Sequence, residues 1–298
     1  MHRGHRARPA PIARGDGDAT LYDRTVSQGQ DEPIIAVLEE TWSATTEACQ
    51  GLPAEAWDLA TDCPGWTVRD QLSHLIGTEM GLLGRDAPPL PDPMPGYVRN
   101  PVGQMNEAWI EARRGVPGDE VLAEFVDVTS RRLAELRGFA PERWDVLGWS
   151  PGGEAPYREF MRIRAFDSWV HGQDIRRAVG RPGDRFSRGE ENTITRVAMA
   201  MPYVVGRKVG PPEGTTVVFE VEGPVSRRVA VRIAGKRAEV LDDPPPTPDV
   251  RITLSSEHFI LLGCGREVPD QVLGSGEITF DGDEELGARI IQAMDFMI

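Results

Sequence analysis

Hydrophobic periodicity changes once along this chain, at Gly210-Pro211-Pro212, and that change limits the fold more than any other feature. Before it, apolar residues recur at the spacing of amphipathic helices. Pro33 suits a first helical turn, and Ile34, Leu38, Trp42, Thr45 and Cys49 follow on one stripe. After the turn Cys63-Pro64-Gly65-Trp66, Thr67 and Asp70 form a capping box for a helix to about Leu83. Six prolines in 85–101 predict a long stiff loop, and Pro101 opens a helix carrying Val102, Met105, Trp109 and Ala112. Asp119–Arg137 repeats the pattern through Leu122, Phe125, Val126, Thr129, Leu133 and Leu136. A Gly/Pro loop at 148–156 precedes a helix over Tyr157–Val179, stopped by Gly180, and a further helix is expected over 190–205.

Beyond Pro212 the period becomes two. Val217, Phe219 and Val221 alternate with their neighbours, as do Val229, Val231 and Ile233. Short strands at Ala238–Leu241, Val250–Leu254 and Glu277–Phe280 and helices at Glu257–Leu262 and Asp283–Phe296 complete the segment. The expected architecture is therefore α followed by α+β: a tail over 1–30, a helical-bundle domain over 31–206 and a small α+β domain over 213–298.

Charge and cysteine content narrow the function. The 298 residues carry 33 Lys plus Arg against 47 Asp plus Glu, a net charge of −14, which argues against a nucleic-acid partner. No apolar run approaches the length of a membrane span, and the Arg-containing N-terminus lacks an apolar core of the signal-peptide type. Residues 1–30, rich in Gly, Arg, Asp and Pro, are expected to be a disordered tail. Three cysteines, Cys49, Cys63 and Cys264, make no CxxC pattern and suit a reducing cytoplasm.

A histidine-based site must draw on five residues: His2, His5, His74, His171 and His258. His2 and His5 fall in the expected tail, and His258 falls in the second domain as a surface or interdomain residue. In the helix over Tyr157–Val179, Asp167, His171 and Asp174 share a face with the apolar stripe Ile163, Phe166 and Val170. An acid and a histidine four residues apart lie above one another on a helix, so they suit one cation or a hydrogen bond within the bundle. Spacing alone leaves both readings open. Asp174 suits either a role in orienting a ligand or an ordinary salt bridge. His74 lies to one side of the stripe Val68, Leu72 and Leu75, which suits a solvent-facing residue as well as a ligand. Cys63, Trp66 and Arg99-Asn100 flank the region in sequence, and the simpler expectation is a structural role for Cys63, packing for Trp66 and loop solvation for the pair.

Cys63-Pro64-Gly65-Trp66-Thr67-Val68-Arg69-Asp70-Gln71-Leu72-Ser73-His74-Leu75 resembles the first metal-ligand motif of the mycothiol-dependent maleylpyruvate isomerase family, whose N-terminal domain is a DinB-like four-helix bundle. Arg164-Ala165-Phe166-Asp167-Ser168-Trp169-Val170-His171-Gly172-Gln173-Asp174 resembles its second motif. The tail, including Pro248-Asp249-Val250-Arg251-Ile252-Thr253-Leu254, resembles its sterol-carrier-like C-terminal domain. The resemblance implies a divalent metal, usually Zn2+, held by His74, Asp167 and His171, with an Asp where the best-known pattern has Glu. It also implies mycothiol as cosubstrate, activated for isomerisation or thiol transfer on a small electrophile. The alternatives are a hydrolase that uses the same metal to activate water, and a non-catalytic binder of an apolar ligand.

Overall fold

The computed structural model describes residues 32–235 and 237–297. The expected tail over 1–30, with His2 and His5, lies outside the described residues.

α1 (Pro33–Cys49), α2 (Val68–Leu82), α4 (Gly118–Arg137) and α5 (Tyr157–Ala178) form a four-helix bundle in which α1 and α2 each pack against both α4 and α5. Leu38, Trp42, Leu72, Leu75, Phe125, Leu136, Met161 and Ala165 share its core. α3 (Pro101–Glu111) packs on α2. In α4 the buried face is Val121, Phe125, Val128, Thr129, Arg132, Leu133 and Leu136, while Val126 points outward. The same holds for Met105 in α3, an exposed member of the expected apolar stripe. The segment expected as a loop over 148–156 forms a hairpin, β1 (Leu147–Ser150) with β2 (Gly153–Pro156). Its tight turn needs Gly153 at φ 107°, and Ser150 Oγ closes it on the Gly153 carbonyl. The turn residues were legible, but the four-residue arms are too short to alternate visibly.

α6 (Arg188–Tyr203) continues into a wide π-type turn, Val204–Val209. Beyond it lies a five-stranded sheet in the order β5 (Arg237–Val240), β4 (Arg227–Ala234), β3 (Thr216–Glu222), β6 (Val250–Ser255), β7 (Thr279–Gly282). β3 and β6 are parallel and the other pairings antiparallel. Val217 faces Val231 and Val250, and Phe219 faces Val229 and Ile252, so the alternating residues fall in one buried layer. α7 (Ser256–Gly263), α8 (Pro269–Ser275) and α9 (Glu284–Gln292) complete the region, and α8 left no periodic signal in the sequence. α9 stops short of the expected Phe296. The helical bundle followed by an α+β unit is the expected fold class.

α5 joins the two cores. Its Met161, Ala165 and Ile175 belong to the bundle, whereas Phe166, Trp169 and Val170 pack with α6 and the sheet residues. A helix buried on both faces has no single apolar stripe. That is why Phe166 and Val170 do not share the face of Asp167 and His171.

Candidate metal centre

Two elements bring the site together. The capping box fixes where α2 begins: Thr67 Oγ1 accepts from the Asp70 amide, and the Thr67 amide donates to Asp70 Oδ2. Two turns on, His74 is 4% exposed and faces α5. It does not lie to one side in solvent, because α2 is buried on nearly every face from Val68 to Glu79. On α5, Asp167 and His171 stand one above the other. One ligand-type atom from each of His74, Asp167 and His171 lies within 4.8 Å of the others.

The pairwise distances are informative. His74 Nε2 is 3.1 Å from Asp167 Oδ2, and His171 Nε2 is 3.5 Å from Asp167 Oδ1. Ligands around a tetrahedral zinc with bonds of about 2.1 Å stand about 3.4 Å apart. The donor set, two imidazoles and a carboxylate, is one that a divalent cation accepts.

The protein fixes the tautomer of His171. Thr61 Oγ1 donates to the Trp66 carbonyl, so it accepts from Gln71 Nε2 at 2.6 Å, and this turns Gln71 Oε1 onto His171 Nδ1. Asp174 Oδ2 stands 3.5 Å from the same nitrogen. The Nδ1 proton is therefore held, and Nε2 presents its lone pair to Asp167 Oδ1. Two acceptors face each other there, and a positive charge between them, proton or metal, relieves the repulsion. Electrostatics agree. Burial works against it, but Asp167 and Asp174 raise the His171 pKa above its ordinary value. Burial lowers that of His74, whose Nδ1 has no hydrogen-bond partner among the described residues. Asp167 is held well below the usual carboxylate range, against burial, by Arg164 and the two imidazoles.

Residues that sequence reasoning missed surround the three. Arg164 Nη1 donates to Asp167 Oδ2 at 2.5 Å and Arg164 Nε to Glu79 Oε1 at 2.9 Å. Glu79 is fully buried and accepts at its other oxygen from Arg132 Nε. Arg266, beyond α7, reaches Asp174 through Nη2 at 2.9 Å, and Arg177 does so at 2.5 Å. Asp174 therefore both contacts His171 and anchors a salt bridge. Arg164–Asp167 and Arg177–Asp174 are i,i+3 neighbours, whereas Arg164–Glu79, Arg132–Glu79 and Arg266–Asp174 join residues 53 to 92 apart that only packing brings together.

Trp66 covers the centre. Its ring centroid is 5.1 Å from that of His74 and 5.6 Å from that of His171. The buried Glu107 holds it from α3 by accepting from Trp66 Nε1, the Tyr97 hydroxyl and Arg114 Nη2. Tyr97 in the proline-rich loop packs on Gly65, where a Cβ would fall 2.4 Å from the ring at φ +80°. Packing, the simpler expectation for Trp66, is thus packing directly on the two imidazoles. Arg99 is exposed and Asn100 caps α3, so that pair is not brought to the centre. His258 pairs with Glu267 and Glu277 within the α+β region.

The cysteine thiols are protonated at neutral pH. Burial pushes Cys63 up to about 11 and Cys49 and Cys264 up to about 12. All three are free. A cavity of about 260 Å³ opens between α5, the 180–185 loop and α7, lined by Trp169, Val170, Arg177, Ile260 and Arg266 among others, and His74, Asp167 and His171 do not line it. No helix among the described residues is long and apolar enough to cross a membrane.

Comparison with known proteins places these features among relatives. Residues 38–176 match the Mycothiol maleylpyruvate isomerase N-terminal domain, and residues 193–289 match the MDMPI C-terminal domain. An uncharacterized protein of Mycobacterium tuberculosis, found in two strains, is 28% identical over 150 residues. That match covers 50% of this chain and 57% of the relative. Among solved structures, the crystal structure of the mycothiol-dependent maleylpyruvate isomerase superposes with a TM-score of 0.54 at 17% identity, over 83% of this chain and 91% of that one. At that identity the likeness is one of fold.

Proposed function

Because this chain belongs to the mycothiol maleylpyruvate isomerase family, we propose that it is a metal-dependent enzyme. It uses a low-molecular-weight thiol, mycothiol, as nucleophile for isomerisation or thiol transfer on a small electrophilic substrate. The observation that carries this reading is the convergence of His74 Nε2, the Asp167 carboxylate and His171 Nε2 from two buried helices.

His74, Asp167 and His171 would hold a divalent cation, zinc foremost, and three protein ligands leave a position open to a further molecule. The chemistry the cation supplies when bound is a lowered thiol pKa, which makes the thiolate nucleophile available at neutral pH. The chain's own residues do the rest. Gln71 holds the His171 Nδ1 proton, with the Asp174 carboxylate 3.5 Å from the same nitrogen, so the ring meets the cation in one tautomer and one orientation. Trp66 covers both imidazoles and limits water on that side. Arg177 and Arg266 pair with Asp174 and hold the carboxylate that stands 3.5 Å from His171 Nδ1. No cysteine supplies a competing nucleophile, since burial keeps all three thiols protonated. Asp167 is one methylene shorter than the Glu of the best-known isomerase pattern, so the ligand geometry must adjust, which bears on the substrate and not on metal binding itself. Free thiols and a thiol cosubstrate suit a reducing cytoplasm.

Metal analysis of the purified chain, followed by turnover of an electrophile panel with mycothiol, with other thiols and with none, tests the reading. One zinc per chain and thiol-dependent turnover are expected, and His171→Ala should lose both. A metal-free protein whose behaviour is unchanged by His171→Ala would sink it. Turnover without any thiol would point instead to water as the nucleophile.

A further inference from the structure

On the metal-site reading given above, we infer that Arg164 is a positioning residue: it occupies Oδ2 of Asp167 and leaves Oδ1 as the single carboxylate oxygen offered to the cation. Oδ2 accepts from Arg164 Nη1 at 2.5 Å, and His74 Nε2, a ligand atom once the cation is bound, stands 3.1 Å from it. Among the described residues, Oδ1 has His171 Nε2 as its partner, at 3.5 Å.

The guanidinium is held in turn. Its Nε donates to Glu79 Oε1 on α2, and Glu79 Oε2 accepts from Arg132 Nε on α4. Arg132 is anchored by Glu135 and by the Tyr157 hydroxyl. Glu79 and Arg132 are fully buried and Arg164 is 4% exposed. The series Arg132–Glu79–Arg164–Asp167 thus sets the carboxylate against three helices of the bundle. Stability alone does not call for it, because buried ion pairs are often replaceable by apolar side chains at no loss. The series does not close on itself, since Arg164 Nη2 finds no acceptor among the described residues. It ends at the carboxylate, on the face turned to the two imidazoles. A planar fork is needed to hold Glu79 and Asp167 at once, which an ammonium cannot reproduce. The arrangement also accounts for a short acid at this position: a side chain whose second oxygen is fixed by Arg164, one turn back on the same helix, needs no extra methylene.

Cobalt(II) binding to the full chain tests this, with Kd measured by chelator competition and coordination followed by the visible spectrum. The expected result has four parts. Wild type binds one cobalt and His171→Ala loses it. Arg164→Lys keeps a folded melting curve and raises Kd by about 10–100-fold. Its visible absorption weakens, as a released carboxylate binds through both oxygens and raises the coordination number. Glu79→Gln loosens the far end of the fork and shifts Kd and spectrum in the same direction by less, and it decides the matter if Arg164→Lys does not fold. Wild-type Kd and spectrum in the folded variants would overturn the inference while leaving the metal site standing. A wild-type chain that takes up no cobalt would overturn the metal reading and this inference with it.

Discussion

Replacing Gln71 with Leu removes the group that sets the His171 tautomer without changing a metal-type atom. Gln71 is fully buried and makes two bonds, from its amide to Thr61 Oγ1 at 2.6 Å and from His171 Nδ1 to its carbonyl. Leucine fills much of the same volume and makes neither. His171 Nδ1 is then left with Asp174 at 3.5 Å, too long for a good hydrogen bond. Two costs follow. The metal-free protein loses about 1–3 kcal/mol of unfolding stability, because buried polar groups lose their partners. Zinc affinity falls about 10–100-fold as the ring loses its fixed orientation, which is about 1.4–2.7 kcal/mol. By linkage, the stabilisation that saturating zinc adds should shrink by the same about 1.4–2.7 kcal/mol. Urea unfolding of wild type and variant, each with a chelator and with excess zinc, separates the two costs. A variant that is weaker without metal but gains as much from zinc as the wild type would refute the reasoning and reduce Gln71 to packing.

Four further outcomes follow from particular contacts. Trp66→Ala should lower thiol-dependent kcat/KM by about tenfold or more, equivalent to ~1.4 kcal/mol, while Trp66→Phe retains most of it, because the ring over the two imidazoles is what is lost. Cys63→Ser should leave turnover within about twofold and Cys63 should alkylate slowly at pH 7, since burial holds its thiol near about 11. Burial raises the Asp184 carboxyl from 3.8 to about 6, so its ionised form is penalised in the folded state above that pH and the penalty disappears as pH falls towards 3.8. Asp184→Asn, which tolerates the positive φ of 55°, should therefore stabilise the protein by about 1 kcal/mol at pH 7–8 and leave it unchanged near pH 4, read from urea midpoints at each pH. Gly77→Ala places a Cβ 2.3 Å from the Trp109 ring where α2 meets α3 and should cost about 1–3 kcal/mol in the same assay.

Local rules carried much of the fold. Pro33, the Thr67–Asp70 box and Gly180 mark their own helix ends, and the period of two after Pro212 marks the sheet. The hairpin at 147–156 and α8 escaped because segments of four to seven residues hold too few turns or alternations to show a period. In α5 and α2 the stripe failed for a different reason. A helix covered on several sides scatters its apolar residues, and so His74 looked lateral when it is central. The Asp167–His171 pair was legible because i,i+4 neighbours share a face. Gln71, Glu79, Glu107, Arg164 and Arg266 were not, since each acts through a partner 41 to 100 residues away, set only by packing, apart from the local Arg164–Asp167 contact.

The central claim is that a cation held by His74, Asp167 and His171 ionises a small thiol at neutral pH. Ultraviolet difference absorbance of mycothiol titrated into zinc-loaded protein at pH 7 measures this directly. One thiolate per bound zinc is expected, and none with His171→Ala. A thiol that stays protonated beside fully loaded zinc would contradict the account.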